Sequence, residues 1–175
     1  AGHYYHDAVI GRLKRDVHLR LIARWCPELR GKALLKTDLF EEAHGADEFL
    51  FDLPAGGLRA GIDISPSIAR RAAARARPAG PAPPPLLAGD VLALPFRAGA
   101  FDVIVSNSTL DHFPHTEGIV AALRELHRAL KPGGTLVVTL DNPCSLSYLA
   151  GRLKRRLRPD PFYLGRTLSR HALTE

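Results

Sequence analysis

From Asp7 to Trp25 apolar residues recur at helical spacing. Val9, Leu13, Val17 and Leu21 fall four apart, and Ile10, Ile22 and Trp25 widen the stripe. Arg12, Arg15, Arg20 and Arg24 lie mostly off it, and Pro27 ends the pattern. The spacing predicts an amphipathic helix. A short strand is expected at Ala33–Lys36, then a helix opening near Asp38, where Glu41 three residues on fits a capping box. Leu58–Ile64 reads as a second strand with Asp63 at its C-terminal end. Ser65-Pro66 then opens a helix running from Ser67 to about Arg77, with serine as cap and proline at its first position. Leu86–Gly89 is a third strand ending at Asp90. Phe101–Ser106 is a continuous apolar run suited to a buried parallel strand. Thr116–Leu130 is a helix, Lys131-Pro132-Gly133-Gly134 its stop and turn, and Thr135–Leu140 a fifth strand. A basic helix is expected at Ser145–Leu157, with another beginning near Ser169.

Strands and helices alternate throughout, which predicts a doubly wound, Rossmann-like α/β domain: a parallel sheet with helices on both faces. Pro78–Pro85 holds five prolines and reads as a stiff loop rather than a domain boundary. The expected organisation is an N-terminal helix over 1–30, a core over 31–143 and a basic helical segment over 144–175.

Composition narrows the class. The chain has 175 residues, 46% of them apolar and 24% charged, the balance of one ordinary globular domain. No apolar run approaches the roughly 20 residues that cross a bilayer, and the first 13 residues lack a signal-peptide core. Cys26 and Cys144 are too few and too far apart for a metal knuckle or a disulfide framework, so no metal is expected and a reduced, cytoplasmic protein is the default. The net charge is +6, and lysine supplies only five of the 24 basic residues. Arginine with abundant alanine and proline looks like a GC-rich bacterial coding bias. The sequence contains no methionine, so at least one end is expected to be trimmed.

In such sheets ligands sit beyond the carboxyl ends of the strands. Asp63, 27 residues after Lys36, is placed to accept hydrogen bonds from ribose hydroxyls, or else simply to steady the helix start that follows. Asp90 is placed to accept from an exocyclic adenine amine with Val91 packed on the ring, or is a plain turn aspartate.

The pieces Gly61-Ile62-Asp63-Ile64-Ser65, Gly89-Asp90 to Leu94-Pro95-Phe96, Phe101 to His112, and Leu123-Arg124-Glu125-Leu126 through Gly134 stand in order at matching spacing. Together they resemble the class I S-adenosylmethionine-dependent methyltransferases, of the type 11-like kind, from about Gly31 to Asn142. The resemblance implies S-adenosylmethionine as cofactor. It implies Asp63, with Ile64 beside it, at the ribose, Asp90 and Val91 framing the adenine, and Asn107 facing the methionine part and the methyl group. Phe96 and Phe101 are assigned to the core.

One stretch departs from that family. Its members carry a glycine-rich loop after the first strand, where glycine lets backbone approach the cofactor. Here Lys36-Thr37-Asp38-Leu39-Phe40-Glu41-Glu42-Ala43-His44 precedes the single glycine, Gly45. Either the loop binds by other chemistry, Lys36 pairing with the methionine carboxylate, Thr37 hydrogen-bonding it and Asp38 taking the ammonium, or binding has been lost. The capping-box reading of Asp38 and Glu41 is compatible with both.

For the reaction, His112 is the candidate general base and Asp111 its orienting partner, with a turn cap and a packed histidine as the plain alternative. Tyr4 and Tyr5 are a candidate lid, against a frayed terminus. Arg152, Lys154, Arg155, Arg156 and Arg158 lie opposite Leu146, Leu149, Leu153 and Leu157. That face suits an acidic or phosphate-bearing acceptor or peripheral contact with an anionic membrane, or is merely solvated. Nucleic acid is disfavoured because no aromatic residues interleave with the arginines. The C-terminal strand pair of the resembling fold is not evident after Leu140, and an open edge would permit a homodimer. The expected function is methyl transfer to a small-molecule acceptor. The alternatives are a silent methyltransferase-like interaction module and a nucleic-acid or membrane-surface binder.

Overall fold

The computed structural model describes residues 8–45, 48–54, 57–76 and 83–140. The basic segment after Leu140, the Tyr4-Tyr5 segment and the expected C-terminal strand pair lie outside the described residues. Helix α1 (Ala8–Trp25) leads into strand β1 (Leu34–Thr37), a short helix α2 (Phe40–His44) and a 3-10 turn at Leu50–Asp52. Strand β2 (Arg59–Asp63), helix α3 (Pro66–Arg75) and strand β3 (Leu86–Ala88) follow. Strand β4 (Phe101–Asn107), a 3-10 turn at Leu110–His112, helix α4 (Thr116–Ala129) and strand β5 (Leu130–Thr139) complete the described chain.

The five strands form one sheet in the order β3-β2-β1-β4-β5, with every pairing parallel. Strand order reverses between β1 and β4, where a parallel α/β sheet opens a crevice at its carboxyl edge. This is the doubly wound α/β arrangement expected from the alternating pattern.

Side-chain alternation divides the core between the two faces. Leu34, Val103, Val105 and Val137 pack with Ile22 of α1, Ala43 of α2 and Ala69 and Ala72 of α3. Leu35, Ile62 and Ile104 pack on the other face with Ile119, Ala122 and Leu126 of α4. Each fully buried leucine or isoleucine contributes about 1.5–3 kcal/mol. Phe101 is fully buried with Phe96 edge-on to it at 4.9 Å, so both belong to the core as expected.

Three local expectations are corrected. Helix α1 forms over the expected span, but Val9, Leu13 and Val17 are exposed, and the docked side carries Ile22 with Leu19, Leu21 and His18. The helix is rotated because Arg15 anchors it, donating to Asp52 Oδ2 at 2.8 Å and to the Glu48 carbonyl at 3.1 Å. Lys131–Gly134 does not end in a turn: it continues as the first part of β5, with a register shift between Phe101 and Val103 that absorbs the extra residues. The N-cap of α2 is Leu39 rather than Asp38, and the capping box does not form because Glu41 is held elsewhere. Asp38 still satisfies one end group, its Oδ1 accepting from the Phe40 N–H at 2.7 Å. Ser65 caps α3 as expected, accepting from the Ile68 N–H at 3.4 Å. Among the described helices none is long and apolar enough to cross a membrane.

Candidate active site

The carboxyl ends of β1, β2 and β3 and the 3-10 turn at Leu110–His112 enclose a cavity of about 330 Å³. Of the residues singled out from sequence, Thr37, Asp38, Asp63, Ile64, Asp90, Val91 and His112 line it. Lys36, Asn107 and Asp111 do not appear in that lining.

Asp63 ends β2 and holds two loops together. Its Oδ2 accepts from the Leu39 N–H at 2.9 Å and its Oδ1 from the Ser65 N–H at 2.8 Å. Each oxygen keeps a second lone pair, so the carboxylate can still accept from a ligand while these bonds fix its direction. Asp90, on the cavity wall, uses Oδ1 to accept from the Leu92 N–H at 2.9 Å, an Asx turn that leaves Oδ2 outside that bond. Val91 is buried beside it, while Ile64 is exposed at the rim.

Asp38 explains how the loop does without glycine. Its φ is +88°, the left-handed region that glycine enters freely and aspartate tolerates better than most residues. Its N–H donates to the Ile62 carbonyl at 2.8 Å, which ties the turn to β2. Gly45, the late glycine, has φ +79° and closes the C-terminus of α2, its N–H donating to the Glu41 carbonyl at 2.7 Å. Its place is structural, and a Cβ there would overlap the Arg75 guanidinium.

Lys36 is fully buried and saturated. Its three N–H groups reach the Asp38 carbonyl at 2.7 Å, Glu41 Oε2 at 2.8 Å and Glu42 Oε2 at 2.6 Å, and the ammonium stands 4.8 Å from the Phe49 ring centroid. The pairing with a methionine carboxylate expected from sequence therefore has no free donor: an ammonium has three hydrogens, and all are used. Burial alone would depress the lysine pKa, but Glu41, Glu42 and Asp38 hold it above the ordinary range. Burial pushes Asp38 up to about 7, helped by the Glu41 charge and opposed by Lys36. Burial also raises Glu42, whose Oε1 accepts from the Leu50 N–H at 3.1 Å. Glu41 is driven below the usual carboxylate range by Lys36, although burial opposes it.

Asn107 is buried at the end of β4, its Nδ2 donating to Glu41 Oε1 at 3.0 Å. Its Oδ1 is buried without a hydrogen-bond partner. Thr37 is buried too, and its hydroxyl donates to Ser106 Oγ at 3.0 Å and lies 2.9 Å from Thr109 Oγ1. Asp111 is 3% exposed, whereas its neighbour His112 is exposed on the cavity wall.

Sequence reasoning missed Glu42, Thr109 and Phe113. Thr109 and Phe113 line the cavity. Glu42 carried a readable signal: it follows Glu41 in the first turn of a helix that opens four residues after Lys36, close to the strand end.

The family match and the structural likeness agree with this geometry. A family model for a methyltransferase domain matches residues 44–138, more than half of the chain, and begins just beyond the Lys36–Glu42 loop. Among curated relatives, a demethylmenaquinone methyltransferase of Lactococcus lactis is 33% identical over 98 residues, 53% of this chain and 37% of the relative. A tRNA (carboxymethyluridine(34)-5-O)-methyltransferase of Xenopus tropicalis is 47% identical over 49 residues, 28% of this chain and 8% of the relative. The chain thus spans well under half the length of either. The solved magnesium protoporphyrin IX methyltransferase of Synechocystis, with bound SAH, superposes with a TM-score of 0.68 at 18% identity, over 99% of this chain and 74% of that one, and shows the shared fold. With its strand order and that family match, the chain belongs to the methyltransferase domain family.

Proposed function

We propose that the cavity binds S-adenosylmethionine and that the protein transfers its methyl group to a small-molecule acceptor. The observation that carries this reading is the cavity of about 330 Å³ at the carboxyl ends of β1–β3, with Asp63 and Asp90 on its wall. Bound there, the cofactor supplies a methyl carbon on a positively charged sulfur. The residues fit its nucleoside end. Asp63 holds the ribose hydroxyls through the lone pairs left beside its two backbone bonds, and Ile64 stands at the rim. Asp90 takes the adenine amine and Val91 lies against the ring. Asp38, on the same wall, fits the ammonium of the methionyl end. Lys36 takes no part in binding its carboxylate. Its role is to hold Asp38, Glu41 and Glu42 in place.

Much of the rate in such a displacement comes from alignment of donor and acceptor. His112, exposed on the wall, is the group positioned to take a proton from a hydroxyl or amine acceptor. Asp111, being buried, steadies the turn that carries it. An acidic or phosphate-bearing acceptor and a homodimer across β5 remain expectations from the sequence pattern.

Calorimetric titration of the chain with S-adenosylmethionine and with its demethylated product, S-adenosylhomocysteine, tests the reading. Micromolar binding is expected. No binding of either ligand, by this chain or by a version extended at its C-terminus, would instead favour a silent interaction module.

A further inference from the structure

Helix α1 turns an apolar and basic stripe outward. Leu13, Val17, Arg20 and Arg24 follow one another at steps of four, three and four residues, so they share one face of the helix. Leu13 and Val17 are 59% and 47% exposed, and both arginines are exposed beyond them. The helix ends at Trp25, 61% exposed, with the Arg24 guanidinium carbon 5.7 Å from its ring centroid. The other side of α1 is spent on the fold: Ile22, with Leu19 and Leu21, packs into the core, and Arg15 holds Asp52.

The charge of that face selects its partner. Asp16 is the one acidic residue of α1, and Arg15 meets it at 3.3 Å. Arg20 and Arg24 therefore set the sign of the stripe. A second copy of the chain would bring the same cations against it and be repelled. The chain's own leucines at 146, 149, 153 and 157 come with Arg152, Lys154 and Arg155, which add to the like charge. A fitting partner offers apolar and anionic groups side by side. The headgroup boundary of an anionic bilayer does so: acyl chains take Leu13, Val17 and the indole of Trp25, while the arginines reach the phosphates.

We propose that α1 lays this stripe on an anionic lipid surface and holds the protein there reversibly. The inference is independent of the cofactor reading. Two aliphatic side chains and one tryptophan bury too little area to anchor a protein by themselves, so the arginines are needed as well. Their attraction acts at an exposed face, which makes the binding sensitive to salt. The net charge of +6 on the whole chain acts in the same direction at longer range.

Trp25 is the single tryptophan of the chain, so its fluorescence reports on this end of α1 alone. The full chain is titrated with vesicles of phosphatidylcholine and with vesicles in which part of it is replaced by phosphatidylglycerol, and binding is followed by co-sedimentation. The anionic vesicles should bind at least about tenfold more tightly, shift the Trp25 emission to the blue, and release the protein at about 0.5 M salt. Arg20→Gln with Arg24→Gln should weaken that binding about tenfold or more, and Leu13→Ser with Val17→Ser about fivefold or more. These side chains are exposed, so melting temperatures should stay within about 3 °C of the parent. No binding to anionic vesicles, or equal binding to both kinds, overturns the proposal. Binding that leaves the Trp25 emission unshifted overturns it in favour of the basic residues between 152 and 158. A dimer in solution that Leu13→Ser with Val17→Ser dissolves overturns it in favour of a second copy. The emission of the unmodified chain decides the matter even if a variant fails to fold.

Discussion

Lys36 Nζ stands 2.6 Å from Glu42 Oε2 with both side chains fully buried, and this pair anchors the loop that departs most from the family pattern. A buried pair costs desolvation on both sides, so its net gain over an apolar pair is small. Breaking it is another matter. Lys36→Met leaves Glu41 and Glu42 without their cation and should destabilise the fold by about 3–5 kcal/mol. Urea denaturation measures this. Adding Glu42→Gln should recover part of the loss, because the amide oxygen still accepts from the Leu50 N–H. A Lys36→Met variant as stable as the parent would show that the pair does not hold the loop.

Stability should fall as pH rises from about 4 to 7. Asp38 is pushed up to about 7 in the folded chain, chiefly by burial and then by Glu41. A carboxyl whose pKa is raised on folding binds its proton more tightly when folded. Its stabilising contribution is full below about pH 4 and is lost as pH climbs through the folded value. Glu42 is raised as well and acts in the same sense. Glu41 is lowered, so it acts oppositely, and only below about pH 4. Asp38→Asn should therefore flatten the slope between about pH 4 and 7. Urea midpoints at several pH values report it, and a flat profile for the unmodified chain would refute the assignment.

Asp63→Ala should weaken S-adenosylmethionine by about tenfold or more, since it removes a charge-assisted acceptor. It should also cost about 1–3 kcal/mol of stability, because the Leu39 and Ser65 N–H groups lose their acceptor. Thermal melts separate the two effects. A folded variant that binds with unchanged affinity would remove the ribose role.

His112→Ala should leave stability within about 0.5 kcal/mol, as the ring is exposed. With an acceptor that turns over, the rate should fall about 10²–10⁴-fold. Cofactor affinity should stay within about threefold, since the variant keeps every residue assigned to the nucleoside. Side-by-side rate and binding measurements decide it, and an unaffected rate retires His112 as the base.

The apolar runs and their turn residues determined the order of elements and the α/β class. Strands such as Val103-Ile104-Val105 are hydrophobic on both faces because both faces are covered, and that is visible in one dimension. Asp63, Asp90 and His112 were legible for a related reason: they follow strand ends, and strand ends in such a sheet converge. The rotation of α1 was not legible. Its pattern reads as one stripe through Val9, Leu13, Val17 and Leu21, and the long-range bond from Arg15 to Asp52 that accompanies the observed orientation is not visible in it. Nor was the fate of Lys36. A lysine at a strand end reads as a ligand cation until the fold brings Glu41 and Glu42 onto it, at 2.8 and 2.6 Å. Local periodicity is a property of neighbours in the chain, and the sequence carries it by itself. Which acceptor a charged side chain meets depends on distances across the sheet and its loops, so only the tertiary structure decided that Lys36 turns inward and Asp38 remains on the cavity wall.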